Sequence, residues 1–129
     1  MIRVSCAIIK NDEGEILVAQ RSATMRLPNK WEFPGGKVEP RETAEESLIR
    51  EIKEELGIKI GIVRALPPHI HEYPESIIEL IPFECIILSG EITLTEHACY
   101  RWMDLDKLEG LDWAEADVPI LLHYISIID

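Results

Sequence analysis

Hydrophobic and polar positions follow two spacings along the chain, one typical of strands and the other of helices. Residues 4–10 and 15–20 are short runs rich in β-branched side chains, and residues 11–14 between them contain Asn, Asp and Gly, which favour a turn. We therefore expect a β-hairpin near the N-terminus. Residues 21–35 contain prolines and no clean period, so they predict an irregular connection with a short strand near residues 31–33.

The helical spacing is clearest from Thr43 to Leu56, where apolar residues recur mostly at three- and four-residue steps. Thr43 and Glu46 have the spacing of a capping box, in which each side chain bonds a backbone N–H that the helix leaves unpaired. Gly57 follows the last apolar position and is typical of a helix end. Both ends of this helix are therefore predicted by local residues.

The second half of the chain predicts more strand and one further helix. The long apolar run at residues 77–88 indicates a central strand, or two strands joined at Pro82, and residues 98–103 indicate another. Residues 104–108 favour a single helical turn, and residues 118–127 favour a final helix. Together the pattern predicts an α/β fold in which two helices accompany a mixed sheet.

Three glutamates, Glu51, Glu54 and Glu55, share one arc of the first predicted helix, beside its apolar face. Like charges at these spacings repel by roughly a few tenths of a kcal/mol per pair, and a divalent cation bound by all three would remove the conflict. The alternative is a solvated charged face in which Glu46, Arg50 and Glu54 form ion pairs at four-residue spacing. The helix taken alone leaves both interpretations open.

Length, charge and cysteine content narrow the class of protein. The 129 residues fit a single domain covering residues 1–129. Acidic residues outnumber basic ones by 24 to 13, for a formal charge of −11, which disfavours binding to a nucleic acid polymer. No run approaches the roughly 20 apolar residues that span a bilayer, so no membrane association is expected. The three cysteines have no paired spacing, so we expect reduced thiols and a cytoplasmic protein.

A spaced set of residues around the helix carries a stronger signal than the helix alone. Gly36 is followed after five residues by Glu42, and after seven more by Arg50 and the rest of residues 50–58. This arrangement resembles the Nudix box, GX5EX7REUXEEXGU with U apolar, at every specified position. The adjacent glycines, Gly35 and Gly36, are expected to bend the backbone sharply and to expose a carbonyl or N–H to a ligand.

The resemblance to the Nudix family implies an α/β/α sandwich, with a mixed sheet between the box helix and a C-terminal helix. It also implies hydrolysis of nucleoside diphosphate derivatives, with Mg²⁺, or Mn²⁺ as a substitute, at the phosphates. The oligomeric state is left open between a monomer and a homodimer. Arg50 is expected to pair with Glu42 or a box glutamate and to orient the metal ligands. The implied ligands are Glu51, Glu54, Glu55 and the carbonyl oxygen of Gly35.

Within the family, residues 29–37 resemble the MutT subgroup, which hydrolyses nucleoside triphosphates to the monophosphate and pyrophosphate. Glu96 resembles the additional glutamate of that subgroup, which binds metal or acts as a base, and its alternative role is that of a solvated turn residue. Arg21 and Lys37 are candidates for binding phosphate, although each also fits an ordinary surface charge. The expected partner is therefore a small nucleoside triphosphate.

The base is the least determined part of the substrate. Asp117 occupies the position where the subgroup has an asparagine, and its alternative role is the N-cap of the last helix. An ionised carboxylate only accepts hydrogen bonds, so it suits the cytosine amino group or the N1–H and N2–H₂ edge of guanine, and it disfavours uracil and thymine. Ser76 stands where MutT has an arginine, while Tyr73 or Phe33 could stack on a base.

Two candidate substrates remain, 8-oxo-dGTP and (d)CTP, because residues 96–102 and 116–121 are more similar to (d)CTP pyrophosphohydrolases of the NudG type than to MutT. The expected function is sanitisation of the nucleotide pool. The alternatives are hydrolysis of ADP-ribose or another nucleotide sugar, and a noncatalytic nucleotide sensor. No catalytic role is expected for the four histidines, His69, His71, His97 and His123.

Overall fold

The computed structural model describes residues 1–128, which form two sheets and the helices that accompany them. None of the helices within that range has the length and apolar character needed to cross a membrane. In chain order the elements are β1 (Ile2–Ile9), β2 (Ile16–Gln20), β3 (Trp31–Glu32), β4 (Gly35–Lys37), α1 (Ala44–Leu56), β5 (Lys59–Ala65), β6 (His69–Tyr73), β7 (Ser76–Ser89), β8 (Cys99–Met103), a 3₁₀ helix (Leu105–Gly110) and α2 (Asp117–Ile127).

The larger sheet contains β4, β1, β7 and β5 in that order, and β6 also pairs with β7. β1 and β7 run parallel, whereas β4, β5 and β6 are antiparallel to their neighbours, so the sheet is mixed as predicted. The smaller sheet is antiparallel and has the order β3, β2, β8. β7 is one continuous strand through Pro82, and its partner on one side changes near this residue from β6 to β5.

Two hydrophobic cores lie on opposite faces of β1, because successive side chains of a strand point to opposite sides of a sheet. Ala7 and Ile9 belong to the core that contains the apolar face of α1, whereas Cys6 and Ile8 belong to the core that contains α2. This layering confirms the predicted α/β/α sandwich. The helix residues in the two cores are Ala44, Leu48, Ile52 and Leu56 from α1, and Ile120, Leu121 and Tyr124 from α2.

The predicted N-terminal hairpin is wrong, although its turn is present. The Asn11 side chain accepts hydrogen bonds from the backbone N–H groups of Glu13 and Glu15, which closes the turn. However, β1 and β2 meet only at a bridge between Lys10 and Ile16, and they belong to different sheets. Most of both strands is buried on both faces, and each has partners on both sides within its own sheet: β4 and β7 for β1, and β3 and β8 for β2.

Helix α1 has both of its predicted ends. The Oγ1 atom of Thr43 accepts a hydrogen bond from the backbone N–H of Glu46 at 3.1 Å, and Glu46 Oε1 accepts one from the backbone N–H of Thr43 at 2.9 Å. Gly57 ends the helix in the left-handed region, at φ 71°, a conformation that glycine adopts at little cost. The last predicted helix is also confirmed, and it begins at Asp117, one residue before the predicted start.

Candidate active site

The three glutamates predicted to bind metal lie on α1 at different depths. The side chain of Glu54 is 60% exposed, and that of Glu51 is 16% exposed. Glu55 reaches deeper, because its Oε2 atom is buried and has no hydrogen-bond partner within residues 1–128. The apolar face of α1 is buried in the core, so the helix holds these carboxylates at the edge of the protein, with Glu55 innermost.

The environment of Glu55 disfavours its charged form. Burial, followed by repulsion from Glu51 and Glu32, raises the pKa of Glu55 to about 8, and Glu96 adds a smaller effect of the same sign. A cation bound at this carboxylate would oppose all of these effects, because a nearby positive charge favours the ionised form. Glu55 is therefore a carboxylate whose surroundings suit a positively charged ligand.

Arg50 contacts both groups that the sequence offered as its partners. Its guanidinium donates two hydrogen bonds to Glu42, at 3.1 and 2.6 Å, and further bonds to Glu51 at 2.9 Å and to Glu54 at 3.2 Å. The bonds from Arg50 lower the pKa of Glu42 to about 2. In turn, Glu42 and Glu51 raise the pKa of Arg50. Arg50 therefore links the loop before α1 to two of the three predicted metal ligands.

Gly35 and Gly36 lie in strand β4, and the expectation of a sharp bend is wrong. Neither has a positive φ angle. They are needed for close packing: a Cβ on Gly35 would lie 1.9 Å from the backbone oxygen of Ser5, and one on Gly36 would lie 2.3 Å from the carboxylate of Glu51. The glycines let β4 pass between strand β1 and the carboxylate face of α1.

Ser47, buried on α1, ties this helix to the glycine strand. Its hydroxyl donates a hydrogen bond to the carbonyl oxygen of Lys37 at 3.1 Å and accepts one from the Ser5 hydroxyl at 3.3 Å. The Ser5 hydroxyl also lies 3.5 Å from the carbonyl oxygen of Gly36. These buried polar contacts fix the register of β4 against α1, and so the position of Gly35 relative to the glutamates.

A cavity of about 220 Å³ opens beside β4 and the inner edge of α1. It brings together residues that the sequence proposed for two different tasks, metal binding and nucleotide binding. Glu51, Glu54, Arg50 and Glu96 do not line it and lie outside its wall, and Ser76 is also absent from the wall. The predicted site residues that do line it are Arg21, Phe33, Gly35, Lys37, Glu55, Tyr73 and Asp117.

Asp117 lies in the wall of this cavity and is not the N-cap of α2. The N-cap position is Ala116, so the capping alternative is wrong. The Oδ2 atom of the buried Asp117 accepts a hydrogen bond from the backbone N–H of Phe33 at 2.7 Å. Burial raises the pKa of Asp117, and repulsion from Glu32 adds to the effect. Because Phe33 occupies one carboxyl oxygen, the other is the one available to a ligand.

Two aromatic side chains complete this part of the cavity. Phe33 packs against Trp113 with ring centroids 4.8 Å apart. The hydroxyl oxygen of Tyr73 accepts a hydrogen bond from the backbone N–H of Ala116 at 3.0 Å, and the Arg26 guanidinium lies over the Tyr73 ring. Both predicted stacking residues are thus fixed by contacts of their own, and the end of the cavity near Asp117 is a preformed surface.

Glu32 is a residue of the site that the sequence did not indicate. It lines the cavity, and its two carboxylate oxygens accept hydrogen bonds from Arg21 at 2.8 Å and from the buried His97 at 2.7 Å. Arg21, predicted to bind phosphate, is therefore already paired in part. The available signal was that Glu32 lies inside residues 29–37, the stretch that carries the subgroup resemblance.

Glu96 is exposed and sits close enough to Glu55 to influence its pKa. The segment before it docks on the C-terminus of α1, where the backbone N–H of Thr93 donates to the Leu56 carbonyl at 2.8 Å. Glu96 makes no hydrogen bond to another described residue, so its carboxylate is free to bind a ligand.

The residues present fit a divalent cation by their donor chemistry. All the predicted ligands supply oxygen atoms, which Mg²⁺ and Mn²⁺ prefer, and the unpartnered Oε2 of Glu55 is a buried acceptor without a donor. Within residues 1–128 no three acidic, histidine or cysteine side chains already converge as a metal cluster. Glu51 and Glu54 each bond Arg50 through one carboxylate oxygen, and Glu51 also lies close enough to Glu55 to raise its pKa.

Comparison with known proteins agrees with this geometry. A family model described as NUDIX domain matches residues 1–124. The chain is 36% identical to the CTP pyrophosphohydrolase of Escherichia coli (strain K12) over 127 residues, which cover 98% of this chain and 93% of that protein. It is also 40% identical to the 8-oxo-dGTP diphosphatase of Haemophilus influenzae over 126 residues, with coverage of 98% and 93%.

The fold is shared with a solved structure as well. The crystal structure of MutT protein from Methanosarcina mazei Go1 superposes with a TM-score of 0.87 at 29% identity, covering 97% of this chain and 93% of that one. The match covers nearly the whole chain, so it extends well beyond the box.

Proposed function

Because the chain belongs to the NUDIX family, we propose that it is a nucleoside triphosphate pyrophosphohydrolase that releases a nucleoside monophosphate and pyrophosphate. One water molecule is consumed for each anhydride bond broken between the α- and β-phosphates. One observation carries the proposal: a single cavity is lined both by Glu55 of the box with the preceding Gly35 and by Phe33 and Asp117. A nucleotide bound there would have its phosphates near α1 and its base near Asp117.

Hydrolases of this family generally need a divalent metal, and we propose Mg²⁺ here, with Mn²⁺ able to replace it. When bound, the cation would lower the pKa of a water molecule and neutralise charge on the phosphates. Arg50 contributes by orienting Glu51 and Glu54 through its hydrogen bonds. The groups that would hold the cation are Glu51, Glu54, Glu55, Glu96 and the carbonyl oxygen of Gly35.

The remaining cavity residues bind and orient the substrate in this proposal. Lys37 is an exposed residue of the cavity wall and supplies positive charge for the phosphates. Arg21, which is paired with Glu32, supplies a second positive charge in the same wall. Phe33 and Tyr73 supply apolar ring surface on which a base can stack. The general base is left unassigned between the glutamates of α1 and Glu96.

We propose free nucleotides as the substrates and no nucleic acid polymer as a partner, because a charge of −11 repels a polyanion unless cations lie between them. The protein would act as a monomer or a homodimer in the cytoplasm, where the nucleotide pool is. The base is either cytosine or 8-oxoguanine, since relatives with both activities in their names are of comparable similarity, at 36% and 40% identity. The preference must therefore come from cavity residues such as Asp117.

The test is hydrolysis of a nucleotide panel by the purified protein with Mg²⁺. The panel contains CTP, dCTP, UTP, dGTP, 8-oxo-dGTP and ADP-ribose, and both products are measured. We expect pyrophosphate and a monophosphate, with the highest kcat/KM for a cytidine triphosphate or for 8-oxo-dGTP. If no triphosphate in the panel yields pyrophosphate, the proposal is wrong.

A matched pair of variants tests the metal site separately. Glu54→Gln removes a proposed ligand charge and is expected to lower kcat/KM by about tenfold or more. Glu45→Gln is the control, because Glu45 is exposed on the same helix and its side chain makes no hydrogen bond or ion pair with another described residue. Equal activity of the two variants would contradict the metal assignment while leaving the reaction class intact.

A further inference from the structure

His97 is the most deeply buried histidine of the described chain, and its ring is held by an acidic side chain. The His97 side chain is 1% exposed, and its Nε2 atom donates a hydrogen bond to Glu32 Oε2 at 2.7 Å. Glu32 is itself only 14% exposed, and its other oxygen accepts a bond from Arg21 at 2.8 Å. The imidazole is therefore fixed to strand β3 through a carboxylate that cannot easily move.

The bond to Glu32 is what this histidine supplies at a buried position. The Nδ1 atom of His97 is buried and has no hydrogen-bond partner within residues 1–128. Burying a polar atom without a partner costs free energy that an apolar side chain of similar size would avoid. A leucine at this position would avoid the cost of the unpaired Nδ1 atom. The hydrogen bond from Nε2 to Glu32 is what the histidine contributes in return.

The chain on the other side of Glu96 is also anchored, this time to helix α1. The backbone N–H of Thr95 donates to the carbonyl oxygen of Glu55 at 3.3 Å, and the Thr95 hydroxyl donates to the same oxygen at 3.4 Å. Carbonyls in the last turn of a helix have no partner within the helix, so they accept such bonds readily. Thr95 therefore fixes the backbone immediately before Glu96 to helix α1.

Glu96 lies between these two anchors and is the residue whose position they determine. Consecutive Cα atoms are about 3.8 Å apart, so fixing Thr95 and His97 leaves the backbone of Glu96 little freedom. The next residue is fixed as well, because the backbone N–H of Ala98 donates to the carbonyl oxygen of Gln20 at 2.9 Å. The backbone of Glu96 is therefore held beside the last turn of α1, where its exposed carboxylate lies close enough to Glu55 to influence the pKa of Glu55.

We infer that His97 is a positioning residue, which holds Glu96 against the carboxylate face of α1 through its hydrogen bond to Glu32. This inference rests on the proposed function, because it gives Glu96 a part in the metal-dependent reaction. It adds two residues, His97 and Glu32, that act without touching the substrate's reacting atoms. A histidine expected to have no catalytic role thus becomes part of the site through its neighbour.

The test compares His97→Gln with His97→Asn, alongside Glu96→Gln. Glutamine can place an amide N–H close to where Nε2 lies and so keep the bond to Glu32, whereas asparagine is too short to reach it. We expect His97→Gln to retain most of the wild-type kcat and His97→Asn to lose about tenfold or more, with KM changed much less. His123→Asn, at an exposed position of α2, is the control and should keep the wild-type kcat.

Two further measurements separate positioning from a general effect on the fold. His97→Asn combined with Glu96→Gln should have the same kcat as Glu96→Gln alone, because both changes act through one carboxylate. Hydrogen exchange in the metal-free protein should be faster at the amide of Ala98 in His97→Asn and close to wild type in His97→Gln.

Equal kcat values for His97→Gln and His97→Asn, or losses that multiply in the double variant, would overturn the inference and leave the proposed function standing. A Glu96→Gln variant with the wild-type kcat would remove Glu96 from the reaction and overturn the inference by that route. Failure of the wild-type protein to hydrolyse any triphosphate is a separate result, since it would contradict the proposed function before any variant is compared.

Discussion

The carboxylate of Glu51 lies in the space that a side chain at Gly36 would occupy. A Cβ built on Gly36 would be 2.3 Å from both Cδ and Oε2 of Glu51, far inside van der Waals contact. The box therefore specifies glycine here because the strand and the carboxylate share the same space. Arg50 bonds the other oxygen of Glu51, so this carboxylate is confined between a glycine and a guanidinium.

Gly36→Ala should reduce activity much more than stability. The atoms that the new methyl group meets are at the far end of the Glu51 side chain, which can turn away at little cost to the fold. Displacing a proposed metal ligand by about 1 Å can cost about 100-fold in rate, so we expect kcat/KM to fall about 10- to 100-fold. Gly110→Ala is the control, since nothing lies within 4 Å of its added Cβ. Equal kcat/KM values for the two variants would contradict the expected displacement.

Gly35→Ala should destabilise the fold. Its Cβ would lie 1.9 Å from the backbone oxygen of Ser5, and backbone atoms cannot turn aside as a side chain can. Relief would require β4 to move off β1, where Gly35 pairs with Cys6. We expect the free energy of unfolding to fall by about 1–3 kcal/mol or more, measured by denaturant titration. An unfolding midpoint equal to that of Gly110→Ala would show that the strand can shift freely.

Helix α1 and its box could be predicted from the sequence because their determinants are local. Thr43, Glu46 and Gly57 mark the ends within the helix itself or one residue outside it, and the glutamates lie at helical spacing. Fold class followed from the same local patterns and from the box resemblance. Strand pairing did not, because it depends on which distant segments meet: β5 and β6 were not predicted, and the N-terminal hairpin was wrong.

The contacts that the sequence could not supply are those between distant side chains. Glu32 and His97 are 65 residues apart in the chain, and neither has a spacing that singles it out. Phe33 and Asp117 are separated by 84 residues, so a hydrogen bond between them is invisible to any periodic pattern. The role of Asp117 also depends on where α2 begins. If the helix began one residue later, Asp117 would occupy its N-cap position and could be an ordinary cap.

The ion pair between Glu42 and Arg50 should make stability depend on pH in the acidic range. Arg50 lowers the pKa of Glu42 from 4.5 to about 2, so the folded protein holds the carboxylate ionised more readily than the unfolded chain does. The stabilisation is therefore fully present above about pH 4.5 and is lost as the pH falls through about 2. We expect the difference in free energy of unfolding between wild type and Glu42→Gln to shrink over that interval.

This expectation is checked by denaturant titrations at several pH values between 2 and 6. Glu109→Gln serves as the control, because Glu109 is exposed and its side chain makes no hydrogen bond or ion pair with another described residue. Its difference from wild type should stay small and constant. A Glu42→Gln difference that is equally constant would mean that the pair contributes no pH-dependent stability.

Asp117→Asn should reverse the preference of the protein between cytosine and uracil. The backbone N–H of Phe33 needs an acceptor, so the asparagine oxygen would turn toward Phe33 and its amino group would face the cavity. Wild type presents an acceptor there and should favour CTP, whose N4 amino group donates, whereas the variant presents a donor and should favour UTP, whose O4 accepts.

Because burial raises the pKa of Asp117, the ratio of kcat/KM for CTP and UTP is measured at alkaline pH, where the carboxylate form is favoured. We expect the ratio to change by about tenfold or more, given about 1–3 kcal/mol for a matched base contact. Asp112→Asn is the control, since Asp112 is exposed and its side chain pairs only with Lys30 among residues 1–128. A ratio that is the same in both variants would mean that Asp117 does not face the base.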